Sequence, residues 1–468
     1  MTLLSIFLGM ILASTVPVAE SGTLSSANAS YDGSALVLKG QVVLDHGIGK
    51  MQADEAILEK QETNKDFPFA MIHLQKEVHV QLQNQGELVC DVADFDFTAL
   101  TGKIAADGRI SYTDTSAKKK GFRLLGKKAH LTLLKHEKEN AKATYDIETI
   151  ITQDDVEIDY GAGFSLHADE AVFHKKEERT SVFAYPKEEG NKCVLTRDQD
   201  RIEGSKIEFT PADQKLAMQN PRGKLSSILL SKQVQAALTF SADTLLWDHP
   251  RNTLSLKGNA MVDEPSLGLL NADDELILVQ KAAALQTIKA KGKTTLTYQD
   301  GRKLISHGTL LIDREKMTAS LQSPQVRGKV PEGKQLWYEE NDLGLFADQA
   351  LVEYAAQEGR LQPVSLSLKG HVKFFSRDPQ KPSRVGLSDR ISYSPTTRTF
   401  ILSADPGHKV LFYNEEDNIN LAAQEIHITE DPTTKKQLVK GIGNVQLIFT
   451  AEELSMIQNM VKFVKQIP

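Results

Sequence analysis

A short glycine-centred pattern recurs along this chain at a near-constant interval. Leu254–Leu278 carries it most clearly, reading LSLKGNAMVDEPSLGLLNADDELIL. Leu254, Leu256, Gly258, Ala260 and Val262 place apolar or small residues at every second position, the period of a half-buried strand. Gly258 interrupts the apolar row at its centre, and glycine inside a strand marks a sharp bend or a close backbone approach. The pattern returns at Leu36–Leu44 (LVLKGQVVL), Leu366–Phe374 (LSLKGHVKF) and Leu438–Phe449 (LVKGIGNVQLIF). Partial copies lie at Gly108, Gly223, Gly292, Gly328 and Gly407. Copies without the glycine lie at Lys76-Glu77-Val78, Asp154-Asp155-Val156 and Lys192-Cys193-Val194. Twelve copies between Gly40 and Gly443 give about 36 residues per repeat, a period that signals repeat architecture.

A partner run follows its own rule. A small residue is followed three and five positions later by apolar ones. The run occurs at Ala53, Gly126, Ala168, Gly204, Ala242, Ala347, Ser388 and Ala423, with poorer fits at Val92, Ala272 and Ser306. A step of three in a strand of period two needs one extra residue, which predicts a β-bulge or corner just after the small residue. Asp follows that residue at Asp54, Asp169, Asp243, Asp273, Asp348 and Asp389. Recurrence at one structural position assigns these carboxylates to turn stabilisation, not to catalysis.

Two bent runs per repeat make four short strands. With the bends on one line, the chain passes between two antiparallel sheets joined along a crease. The predicted bends are Gly40, Gly258, Gly370 and Gly443 in the first run and Ala53, Ala168, Ala242 and Ala347 in the second. Inward positions then carry Leu36, Leu38, Val42, Leu44, Leu254, Leu256, Val262, Leu366, Leu368, Val372 and Phe374. Lys39, Gln41, Lys257, Asn259, Lys369 and His371 point outward. Sheets about 10 Å apart can fill their own interior, or can splay and leave an apolar groove. Alternation alone does not separate these two outcomes.

The remaining features narrow the function. With 62 acidic and 55 basic residues the net charge is −7, and aromatics are 6%, which excludes a basic or base-stacking nucleic-acid binder. No nucleophile elbow, zinc-protease, phosphate-loop or dinucleotide motif occurs, so no enzyme, cofactor or metal site is expected. Leu3–Leu12 is an apolar run of signal-peptide length, and residues 1–22 are read as an export segment. Cys90 and Cys193 fall in distant repeats, too far apart in a stacked array to pair. Lys118-Lys119-Lys120 reads as a solvated loop tip. Residues 451–468 break the repeat: Leu454, Ile457, Val461 and Val464 have helical spacing, and Thr450 with Glu453 forms a capping box. This helix is expected to cover the open edge of the last strand.

Ala29–Lys60 resembles the OstA-like repeat of the periplasmic lipopolysaccharide-transport proteins, the LptA/OstA family. The resemblance rests on Tyr31, the strand Leu36-x-Leu38-x-Gly40-x-Val42-x-Leu44, and Ala53-Asp54-x-Ala56. Residues 240–278 and 345–374 repeat it, and weaker copies extend it over most of 23–450. It implies an all-β fold, an elongated open β-jelly roll or β-taco of stacked repeats, here followed by a short C-terminal helix. It also implies a periplasmic protein without catalysis that holds the acyl chains of lipopolysaccharide or lipooligosaccharide in an apolar groove. The implied partners are an inner-membrane complex and an outer-membrane translocon, joined by edge-strand pairing. The competing expectation is a β-solenoid scaffold or surface interaction protein with a filled core and no lipid ligand.

Overall fold

The computed structural model describes residues 23–60, 69–83, 86–114, 122–137, 143–160, 163–176, 179–188, 192–225, 237–265, 267–281, 284–340, 343–357, 360–376, 382–431 and 437–464. The export segment and the lysine run lie outside them. The protein is all-β, built from antiparallel strands, with a single helix among the described residues, α1 (Ala451–Val464). The chain divides into two compact units, Met1–Asp198 with Gly204–Lys215, and Gln199–Glu203 with Leu216–Pro468.

In the first unit the strands are long, and each pairs with the next. Ala35–His46, Gly49–Lys60, Phe69–Leu82, Gly86–Asp96 and Thr101–Asp114 follow one another in a meander. Phe122–His136, Thr144–Tyr160 and Phe164–Lys176 continue it. Every one of these strands bends near its middle. In Ala35–His46 the register jumps from Lys39↔Glu55 to Val42↔Ala53, so two residues face one. The sheet folds at these jumps into two leaves. The register shifts between Ala168 and Glu170, but the extra residue expected after Ala168 lies in the partner strand, where Asp154 and Asp155 face Asp169 alone.

The second unit shows the same plan with the bends widened into links. One leaf runs through Thr244–Asp248, Thr253–Lys257, Glu275–Lys281, Ala284–Lys291, Thr309–Asp313, Thr318–Gln322 and Gln349–Gln357. The other runs through Leu238–Ser241, Ala260–Glu264, Gly268–Ala272, Thr294–Thr297, Lys303–Ser306, Leu336–Glu340 and Leu343–Ala347. Successive strands alternate between leaves at each bend and pair within the leaf at each turn.

Six of the first-run bends share one backbone conformation. Gly40–Gln41, Gly258–Asn259, Gly370–His371 and Gly443–Asn444 all have two consecutive residues at positive φ. So do Lys76–Glu77 and Asp154–Asp155, which have no glycine. A left-handed residue with a Cβ costs about 1–2 kcal/mol, so geometry is retained there against local preference. Backbone bonds run along the crease: the Asp243 amide donates to Gly258 O, and the Gly258 amide to Asp274 O. A Cβ at Gly258 would also lie 2.2 Å from Asp243 Oδ2, so that side chain would have to shift to admit it.

Three weak copies differ from expectation. Gly223 sits inside the strand Arg222–Leu225 without a bend, under the Phe240 ring. The turn between leaves falls at Asn220, at φ 49°, where the amide donates to Asp243 O. Gly328 belongs to a two-residue turn closed by the Val326↔Lys329 bridge, within a longer link between leaves. Gly108 keeps negative φ while the register slips from Ala105 to Ile110.

Helix α1 begins as the capping box requires. The Thr450 amide donates to Glu453 Oε2 at 2.8 Å, and the Glu453 amide to Thr450 Oγ1 at 3.2 Å. Its placement corrects the expectation of an edge cover. Ile457 and Met460 pack on Phe375, Val385, Leu411 and Ala422, on the face of one leaf. Leu454, expected on the packed side, is exposed, and the side chain of Val464 lies outside the described residues. Among the described residues the last strand, Gln437–Ile442, pairs only with Glu425–Glu430, and Leu438 on it is 71% exposed.

Candidate functional site

The candidate site is the interior between the leaves, taken separately in each unit. In unit one, Leu38, Val42 and Leu44 are buried, and Leu36 near the strand start is half-buried. Rings meet across the leaves: Tyr112 and Phe122, from one leaf, lie 5.3 and 5.9 Å from Phe173 of the other. In unit two, Leu254, Leu256, Val262, Leu366, Leu368 and Val372 are all buried. Phe374 is half-buried and faces inward, 6.4 Å from Phe400 of the opposite leaf and 6.0 Å from Phe412. Its neighbour Phe375 points the other way and is fully buried beneath α1. The protein's own side chains therefore remove the inward positions from water.

The crease carries the polar chemistry. Asp348 accepts from His371 Nδ1 at 2.7 Å and from Gln335 Nε2 at 2.8 Å. Asp243 accepts from Asn259 Nδ2 at 3.1 Å, and Asp389 from the Asp405 amide at 2.7 Å and His408 Nδ1 at 2.9 Å. Asp169 accepts from the Lys187 amide. Each carboxylate holds a residue at or beside the next bend, so the turn-stabilising reading becomes a tie between successive bends. Burial opposes ionisation of Asp389, yet the Asp405 amide and His408 hold its carboxyl below the ordinary range. Where glycine is absent, Lys76 pairs with Glu55 at 2.9 Å, and Lys128 and Lys187 with Asp154 at 3.4 Å.

The mouth, opposite the crease, holds residues that the alternation alone does not assign. In unit two, Glu264 ends one strand of one leaf and Arg314 follows a strand of the other. Their side chains meet at 2.8 Å, each 1% exposed. Tyr298 and Tyr354, also from opposite leaves, share a 2.8 Å hydrogen bond between buried hydroxyls. Burial pushes the Tyr298 hydroxyl up to about 12. A sequence signal existed: Glu264 continues the inward row Ala260-Val262, and Arg314 the row Leu310-Ile312. In unit one the mouth is tied by the Tyr145 amide donating to Gly47 O at 3.0 Å, with His46 stacked on Tyr145.

Cys90 and Cys193 are free and buried, and burial pushes both thiols up to about 12. Among the described residues no cluster of His, Cys, Asp and Glu could hold a metal ion, and no helix is long and apolar enough to cross a membrane. These features define a class, a creased two-leaf β-repeat protein with an apolar interior and a polar mouth. Compared with protein-family models and with curated proteins, the chain has no significant match.

Proposed function

We propose that this protein is a non-catalytic periplasmic carrier of lipopolysaccharide or lipooligosaccharide, acting in the manner of the LptA/OstA proteins that its repeats resemble. The observation that carries this reading is the creased pair of leaves with apolar residues on their facing sides, repeated through each unit. Acyl chains enter between the leaves and replace contacts that the inward side chains otherwise make with each other. Apolar area exchanged in this way stays out of water, at roughly 25 cal/mol per Å² saved. The terminal strands also support the reading. Asn28–Tyr31 and Gln437–Ile442 each pair on one side only among the described residues, as strands that accept a partner's edge must. In this reading those edges meet the inner-membrane complex and the outer-membrane translocon.

A second reading, a scaffold with a filled core, is favoured by the full burial of Leu38, Leu256 and Val262 among the protein's own side chains. Photo-crosslinking decides between them. With lipopolysaccharide present, crosslinkers at Val42, Leu256 and Val372 are expected to capture lipid, and those at Lys39, Lys257 and Lys369 are not. Equal labelling of both sets, or of neither, leaves the scaffold.

A further inference from the structure

We infer that the Glu264–Arg314 ion pair and the Tyr298–Tyr354 hydrogen bond form a releasable clasp across the mouth of the second unit, whose opening admits the hydrocarbon chain of an amphiphile between the leaves. The inference rests on the carrier reading for its purpose but on geometry for its substance. Glu264 and Tyr298 belong to one leaf, and their strands are separated by Gly268–Ala272. Arg314 and Tyr354 belong to the other, and their strands are separated by Thr318–Gln322. The two ties thus lie two strands apart, about 10 Å along the mouth. Both join opposite leaves by side chains, with no ladder bond between them.

The distribution of polarity gives the clasp its character. Deep positions are apolar: Leu256, Val262, Leu276, Ile288, Leu296 and Leu310. Hydroxyl groups are buried inward at the crease end as well, on Thr294 and Ser306, while the buried charges Glu264 and Arg314 lie where the leaves meet at the mouth. An apolar seal there would close as well or better, since replacing a buried ion pair by packed hydrocarbon is often neutral or stabilising. It would also oppose opening, because every exposed methyl group loses free energy to water. A polar seal behaves differently. Its charges and hydroxyls are desolvated when closed and recover hydration when open, which offsets the bonds lost. The mouth is therefore directional when shut and inexpensive to part. Arg302 extends the cluster, with its guanidinium 5.5 Å from the Tyr298 ring centroid and paired with Asp300.

The test uses the full chain, an apolar dye that fluoresces on leaving water (N-phenyl-1-naphthylamine), and amide hydrogen exchange. Three variants are compared: Tyr354→Phe, Glu264→Gln, and the double variant Glu264→Leu with Arg314→Leu. The clasp predicts that Tyr354→Phe raises the rate of dye uptake roughly threefold to tenfold, the worth of one hydrogen bond. Glu264→Gln should raise it further, because the buried Arg314 charge loses the Glu264 carboxylate. Exchange should quicken in Ala260–Glu264 and Thr309–Asp313, with strand content unchanged. The double apolar variant should return both readouts to the wild-type rate or below. Should Glu264→Gln fail to fold, Tyr354→Phe, which removes one oxygen, decides alone. Unchanged uptake in the folded single variants, or a double variant as fast as the singles, overturns the clasp. Lipopolysaccharide crosslinking at Leu256 is read in parallel. Capture at equal rates in all variants overturns the clasp and leaves the carrier, whereas absent capture with responsive dye uptake removes the carrier and leaves the clasp.

Discussion

Gly258 shows how much a single position can carry. It holds φ at 71° and lies against the Asp243 side chain of the neighbouring bend. Gly301, at φ 87°, has the same backbone demand but open space where a Cβ would go. Gly301→Ala is therefore expected to cost about 1–2 kcal/mol, the left-handed penalty alone. Gly258→Ala should cost about 3 kcal/mol or more, because the clash adds to that penalty. Chemical denaturation of the two variants checks the difference, and equal losses would show that the Asp243 contact is soft. The bends at Lys76–Glu77 and Asp154–Asp155 were legible only as gaps in a pattern. Repeat spacing located them, while residue type alone would have denied them positive φ.

At the scale of the element, α1 was legible in its start and its period, but not in its docking. Its N-terminus follows from two side chains, Thr450 and Glu453, close in sequence. The surface it covers is assembled from Phe375, Val385, Leu411 and Ala422, which come from four strands. Consecutive apolar runs such as Phe374-Phe375 and Val410-Leu411-Phe412 hinted at strands buried on both faces. The Thr450 amide and Lys409 hold the Glu453 carboxyl below its ordinary range against a smaller cost of burial. A depressed carboxyl stabilises the folded state above its unfolded pKa, about 4.3. That contribution is lost as pH falls through the folded value. Acidification below about pH 4 should thus speed amide exchange in the first turn of α1 before the strands respond. Glu453→Gln should flatten that pH dependence while preserving part of the cap.

For the molecule as a whole, the pairing scheme predicts how damage travels. Each strand bonds only to its immediate partners in a leaf, so a defect spreads through neighbours. Leu256→Ala removes a fully buried side chain and is expected to cost about 2–5 kcal/mol. Amide protection should fall first in Thr244–Asp248 and Glu275–Lys281, the two partners of its strand. Protection in Ala35–His46 should be untouched. Uniform loss over both units would contradict local coupling.

The period, the alternation and the small residues at the bends were enough to set the architecture, because each is a local rule. A strand faces inward every second residue, and a crease admits only residues that tolerate crowding or left-handed φ. Which leaf faces meet, and what closes them, depended on contacts between residues far apart in the chain. Glu264 is an odd charge in an apolar row until the fold sets it 2.8 Å from Arg314. A charge buried alone is strongly disfavoured and a charge buried in a pair is tolerated, so only the tertiary structure could turn that misfit into a tie between leaves.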